Sequence, residues 1–125
     1  DADIDEYGIA PHVDTTFFTL LAQSAPGLTI FGEQRGVWLK APVIPDALVV
    51  NTGELLKQWS NDRFISVKHF VPPHQGEEDR YSVPFFFNAT ADYPMECLPT
   101  CHGPGNPARY PSVSYLQSQA AAQRE

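Results

Sequence analysis

The sequence predicts an antiparallel β-sandwich or jelly roll, and three observations carry that expectation. Twelve prolines and eight glycines in 125 residues favour short strands between turns over long helices. The apolar stretches are short, rich in Phe, Val, Ile and Leu, and bounded by turn residues. Good helical spacing occurs in one place mid-chain, and Ala and Gln content favours one more helix near the end. A chain of this length supports one modest domain around one hydrophobic core.

Each element follows from local chemistry. Residues 1–6 form an acidic lead-in. Residues 7–12 read as a strand kept short by Gly8 and Pro11. Residues 17–22 are strongly apolar and read as a buried strand. Ala25, Pro26 and Gly27 signal a turn, after which residues 28–31 resume a strand. A hairpin loop at 32–36 leads into a strand at 37–40. Pro42, Pro45 and Asp46 break the chain before 47–50, another buried strand. Leu55, Leu56 and Trp59 share a helix face, predicting a short helix over 53–59 that Ser60, Asn61 and Asp62 end. Residues 66–71 form a strand carrying His69, 72–79 a polar loop, and 80–87 a strand rich in aromatics. Residues 88–111 hold five prolines and read as irregular. Ser112 or Ser114 caps a final helix through residue 122, which Ala and Gln favour.

Composition excludes several function classes. The net charge is -7 and the eight basic residues are scattered, so no stripe exists for nucleic-acid phosphates. No run of about 18 apolar residues offers a membrane span. Cys97 and Cys101 stand before His102 without the second ligand pair that a structural zinc site needs. Two reduced thiols of a cytoplasmic protein are the expected reading. Asn88-Ala89-Thr90 matches a glycosylation acceptor, read here as a chance match.

The chemistry rests on His12-Val13-Asp14. In a strand, residues i and i+2 project from one face, so this imidazole and carboxylate point together. The motif alone is weak, because about one chain in four of this composition contains a His-x-Asp by chance. His69 follows 55 residues after Asp14, and Arg80-Tyr81-Ser82 begins 11 residues after that. Two imidazoles and one carboxylate can form a facial iron(II) site with open positions. A guanidinium fork beside a hydroxyl suits a carboxylate. Taken singly, each residue has a blander reading. His69 would be a hydrogen-bonded strand histidine, Arg80 a surface partner of Glu77, Glu78 or Asp79, and Phe85 to Phe87 core.

Taken together, their order resembles the iron(II)/2-oxoglutarate-dependent dioxygenases. The branch most similar is that of isopenicillin N synthase, aminocyclopropane-carboxylate oxidase and the plant flavonoid and gibberellin oxidases. Pro26-Gly27-Leu28, Trp38, Asn51-Thr52-Gly53-Glu54 and Trp59-Ser60-Asn61 fall in the family's order, and the likeness covers residues 8 to 98. It implies a double-stranded β-helix (jelly roll), incomplete at its N-terminus, with a short central helix and a C-terminal helix. It divides the chain into an iron-binding core at 1–90 and an extension at 91–125.

The resemblance also implies site roles. His12, Asp14 and His69 would hold Fe(II). Arg80 and Ser82 would bind the distal carboxylate of 2-oxoglutarate, and Phe86, of the same strand parity, would wall a substrate pocket. The implied activity uses O2 to hydroxylate or desaturate a small organic molecule, with succinate and CO2 as co-products. Two alternatives remain open at this level: an iron(II) oxidase of the isopenicillin N synthase type that does not use 2-oxoglutarate, and an inactive piece that retains metal binding. Two departures from the family stand out. Phe70 follows the distal histidine where Arg is usual, predicting retained ligation with different packing. The chain also begins almost at the proximal ligand, so an N-terminal region is expected to complete the fold.

Overall fold

The computed structural model describes residues 7–123, so the acidic lead-in at 1–6 lies outside the described residues. Among the described residues, seven strands form two antiparallel sheets. One sheet joins β1 (Ile9–His12), β6 (His69–Val71), β3 (Thr29–Gly32) and β4 (Val37–Lys40) in that spatial order. The other joins β5 (Val49–Thr52), β2 (Phe18–Gln23) and β7 (Ser82–Phe87). Their inner faces meet across a cavity, to which β1 and β6 offer Ile9, His12, His69 and Val71. From the other side come Thr19, Leu21, Asn51, Ser82, Pro84 and Phe86. This is the expected jelly roll. Pro11 and Pro84 both lie on strands at a sheet edge, where a missing N–H leaves no ladder bond unmade.

An irregularity in β1 decides where His12 points. Ile9 pairs with Val71 and His12 with His69, so three steps along β1 oppose two along β6. An extra residue of this kind is a bulge, and it turns the side chain beyond it to the other face. Ile9 and His12 therefore both line the cavity, although residues three apart in a regular strand would face opposite ways.

Helix α1 (Glu54–Trp59) begins at Gly53 without any side-chain cap. Its free N–H groups go instead to the loop between β1 and β2. Gly53 N donates to Phe17 O at 2.9 Å, Glu54 N to Asp14 O at 2.8 Å and Leu55 N to Thr16 O at 3.2 Å. Leu55 is 1% exposed, and the Trp59 ring packs edge-on against Phe17 with centroids 5.1 Å apart.

Past α1 the chain is fixed by one buried amide. Asn61, in the left-handed region at φ 53, donates through Nδ2 to Cys101 O (3.0 Å) and Pro107 O (3.1 Å). Its Oδ1 accepts from the Arg109 N–H at 2.9 Å. A 3₁₀ turn at Pro99–Cys101 lies within this irregular segment. Nearby, the hydrogen bond from Lys57 to the Tyr110 hydroxyl raises the lysine's pKa above its ordinary value. Burial opposes that shift, and Glu54 and Asp62 add to it. Helix α2 (Tyr115–Ala122) opens with a capping box. The Ser114 hydroxyl accepts from Gln117 N, while the Gln117 side chain accepts from Ser114 N.

Several boundaries and burials differ from the sequence reading. The strand expected at 47–50 forms at Val49–Thr52, because its limits follow pairing with β2 (Leu21↔Val49, Phe18↔Thr52) rather than apolarity. Its apolar side is not buried, with Val50, and Leu48 just before the strand, more than half exposed. The strands expected from residues 66 and 80 begin at His69 and Ser82. Phe85, Phe86 and Phe87 are not core: each is about half exposed or more. Phe85, Phe87 and Val83 share the outer face of the smaller sheet with Val50, where no other described element covers them. The chain exposes 8929 Å², against roughly 6,700 Å² expected for a folded monomer of its mass. Phe70 packs on Tyr7 and Trp38, with centroids 5.5 and 4.8 Å away.

Candidate metal centre

The register that opposes His12 to His69 brings their rings to a centroid separation of 4.3 Å. Asp14 lies two residues past the end of β1, in the loop that α1 holds through its first-turn amides. Asp14 Oδ1 sits 3.5 Å from His12 Nε2 and 3.5 Å from His69 Nε2. The three donor atoms all lie within 4.8 Å of one another. A gap of 3.5 Å is too long for a good hydrogen bond. It is close to the spacing of about 3 Å between neighbouring ligands that each stand about 2.1 Å from a shared ion.

The atoms behind these donors decide what they can bind. His12 Nδ1 is 2.8 Å from Ala10 O and His69 Nδ1 is 2.8 Å from Val67 O. Each ring thus gives its Nδ1–H to a carbonyl two residues back and turns Nε2 toward Asp14. Asp14 Oδ2 accepts from Thr19 Oγ1 at 2.6 Å and from Asn51 Nδ2 at 2.7 Å. Thr19 and Asn51 are paired across β2 and β5, both buried, so the opposite sheet fixes one carboxylate oxygen and presents the other. Two imidazole nitrogens and one oriented carboxylate oxygen, with no fourth protein donor among the described residues, fit a divalent metal with open positions. Sequence reasoning missed Thr19 and Asn51. Their signal was polarity inside apolar strands, at positions that face inward.

Arg80 and Ser82 line the same cavity as the three donors. Arg80 precedes β7 and is tied to the turn after β2, through Nε to Ala25 O (3.1 Å) and Nη2 to Gln23 Oε1 (3.3 Å). Glu77, Glu78 and Asp79 do not pair with it, and among the described residues no carboxylate does. The cavity is small, about 100 Å³, with room for a small acid and not for a bulky substrate. A second chamber of about 400 Å³ shares His12, Asp14 and Phe86 with the first. It opens toward Asn88 and toward Tyr115 and Gln119 of α2. Gln119 Nε2 donates to Thr15 Oγ1 at 3.0 Å, fastening α2 to the loop that carries Asp14. Phe86 stands where the two chambers meet.

Comparison with known proteins is consistent with this arrangement. The chain is 39% identical over 108 residues to the 2-oxoglutarate-Fe(II) type oxidoreductase hxnY of Emericella nidulans, covering 86% of this chain and 31% of that protein. It is 40% identical over 110 residues to kihadalactone A synthase of Citrus sinensis, covering 85% and 32%. It therefore spans about a third of the length of the curated relatives it matches. Among solved structures, the rice dioxygenase for auxin oxidation superposes with a TM-score of 0.87 at 26% identity, covering 95% of this chain and 41% of that one. A full-length Neurospora crassa protein solved in complex with α-ketoglutarate gives 0.82 at 28% identity, covering 98% and 41%. The sequence also matches the 2OG-Fe(II) oxygenase superfamily over residues 1–89, the stretch that contains His12, Asp14, His69, Arg80 and Ser82. With the fold, the ordered donor set and this match in agreement, the chain belongs to the 2OG-Fe(II) oxygenase superfamily.

Proposed function

We propose that the protein carrying this chain is an Fe(II)- and 2-oxoglutarate-dependent oxygenase that hydroxylates or desaturates a small organic molecule in the cytoplasm. The observation that carries the reading is the convergence of His12 Nε2, Asp14 Oδ1 and His69 Nε2 on a cavity that also holds Arg80 and Ser82. Those three would hold iron(II), which supplies O2 activation coupled to decarboxylation of the oxo acid. In hydroxylation one oxygen atom of O2 ends in succinate and the other in product, and CO2 leaves.

The residues divide the work. Arg80 and Ser82 grip the distal carboxylate of 2-oxoglutarate, with Arg80 Nη1 free of any protein partner among the described residues. Thr19 and Asn51 keep Asp14 turned toward the histidines. Phe86 walls the organic substrate's chamber, which the extension at 91–125 completes with Tyr115 and Gln119, beside the core at 1–90. An N-terminal region completes the fold, a reading supported by the uncovered apolar face and the length of the relatives. Free Cys97 and Cys101 suit a reducing compartment, and no helix among the described residues is long and apolar enough to cross a membrane.

The test is an anaerobic titration of the complete, iron-loaded protein with 2-oxoglutarate. Binding is expected to produce a visible charge-transfer band, and Arg80→Ala to weaken the affinity by about 10- to 100-fold, the value of a hydrogen-bonded charge pair. In air, succinate should form in step with product. Turnover that is indifferent to omission of 2-oxoglutarate would overturn the reading in favour of an oxidase that draws its electrons from substrate.

A further inference from the structure

Arg80 reaches the cavity across the turn after β2, and the shape of that turn sets where the guanidinium lies. A Cβ built on Gly27 would stand 2.5 Å from Arg80 Nε, 2.9 Å from Cζ and 3.1 Å from Cδ. Non-bonded carbon does not approach nitrogen or carbon so closely, so the arginine lies directly over the glycine in space that any side chain would claim. Gly27 does not have a positive φ, so its backbone would accept alanine, and the constraint is steric. The residues just before it supply the partners of the same side chain. Ala25 O takes Nε at 3.1 Å, and Gln23 Oε1, from the end of β2, takes Nη2 at 3.3 Å. Gln23 pairs with Ser82 across the two strands, so one register positions both members of the carboxylate clamp.

We propose that the segment Gln23 to Gly27 is the seat of Arg80. Gly27 and Gln23 are positioning residues for 2-oxoglutarate that touch no co-substrate atom themselves. The inference rests on Arg80 binding the distal carboxylate. A methyl group at 27 meets the far end of a flexible side chain rather than backbone, so the fold absorbs it cheaply. The arginine does not, because moving aside breaks its bonds to Ala25 and Gln23 and carries the fork away from Ser82. The effect should therefore fall on recognition of the distal carboxylate alone.

The experiment compares two oxo acids on the complete, iron-loaded protein without oxygen, by titration of the charge-transfer band. One is 2-oxoglutarate. The other is 2-oxobutyrate, which has the chelating end and no distal carboxylate. Gly27→Ala is expected to weaken 2-oxoglutarate by about tenfold or more and to leave 2-oxobutyrate, iron(II) affinity and melting temperature unchanged. In an Arg80→Ala background the same substitution should have no further effect, since interacting sites are not additive. Gln23→Leu, which adds no bulk at position 27, should shift 2-oxoglutarate in the same direction. Equal weakening of both oxo acids, or full additivity with Arg80→Ala, would overturn the seat. If Arg80→Ala itself leaves 2-oxoglutarate affinity intact, the clamp reading fails first. If Arg80→Ala weakens binding while the Gly27 and Gln23 variants match wild type, only the seat fails.

Discussion

Asp14→Ala is expected to abolish measurable iron(II) binding. The substitution removes the only anionic donor of the three and leaves two imidazoles alone. It also strands the Thr19 hydroxyl and the Asn51 amide, both buried and both committed to Oδ2. A milder pair of changes grades the effect. Thr19→Val and Asn51→Leu keep all three donors but release Oδ2, and each should cost roughly 10- to 100-fold in metal affinity, the usual penalty for losing a group that orients a ligand. Isothermal titration with iron(II) under argon reads all three variants. Equal affinities for the wild type and Asp14→Ala would remove the metal site from His12, Asp14 and His69 altogether.

Gly53→Ala should be the most damaging single methyl group in the chain. A Cβ there would overlap the Thr16 carbonyl oxygen and stand 3.0 Å from the Asp14 carbonyl oxygen. Both obstacles are backbone, and both oxygens accept from the first turn of α1. Neither side can yield without breaking the hydrogen bonds that replace a helix cap. We expect a loss of about 3 kcal/mol, at the upper end for overpacking and a large part of a typical domain's total stability. Because the same carbonyls belong to the Asp14 loop, iron affinity should fall with stability. Gly36 supplies the contrast. It has φ +63 and nothing within 4 Å of its would-be Cβ, so Gly36→Ala should cost about 1 kcal/mol, from conformation alone. Chemical denaturation of the three proteins measures the difference; a Gly53→Ala loss no larger than that of Gly36→Ala would contradict close packing at Gly53.

The fold class was legible because turn residues fall at short intervals and mark strand lengths directly. That His12, Asp14, His69, Arg80 and Ser82 would line one cavity was legible because their order along the chain is unusual in combination. Other features were hidden for physical reasons. The bulge that turns His12 inward depends on how β1 pairs with β6, and Pro11 alone does not announce it. Thr19 and Asn51 become partners of Asp14 only once β2 and β5 are in register. The boundaries of β5 were misplaced because apolarity suggested 47–50, whereas hydrogen bonding to β2 selects Val49–Thr52. Aromatic density at Phe85 to Phe87 reads as core in a sequence, since composition cannot say which sheet face another element covers. The final helix was readable from its Ala and Gln content, but its cap only as Ser112 or Ser114; the reciprocal bonds with Gln117 select Ser114.

The anchoring of Asp14 has a thermodynamic consequence. His12 and His69 belong to one sheet, while Thr19 and Asn51, which hold the carboxylate, belong to the other. An ion shared by the three donors would act as a rivet through the sandwich, joining its two halves at a point where the strands themselves share no hydrogen bonds. Unfolding would then have to release it, so each tenfold rise in free iron(II) above the dissociation constant would add about 1.4 kcal/mol to stability. The melting temperature of such a protein would therefore rise with free iron(II).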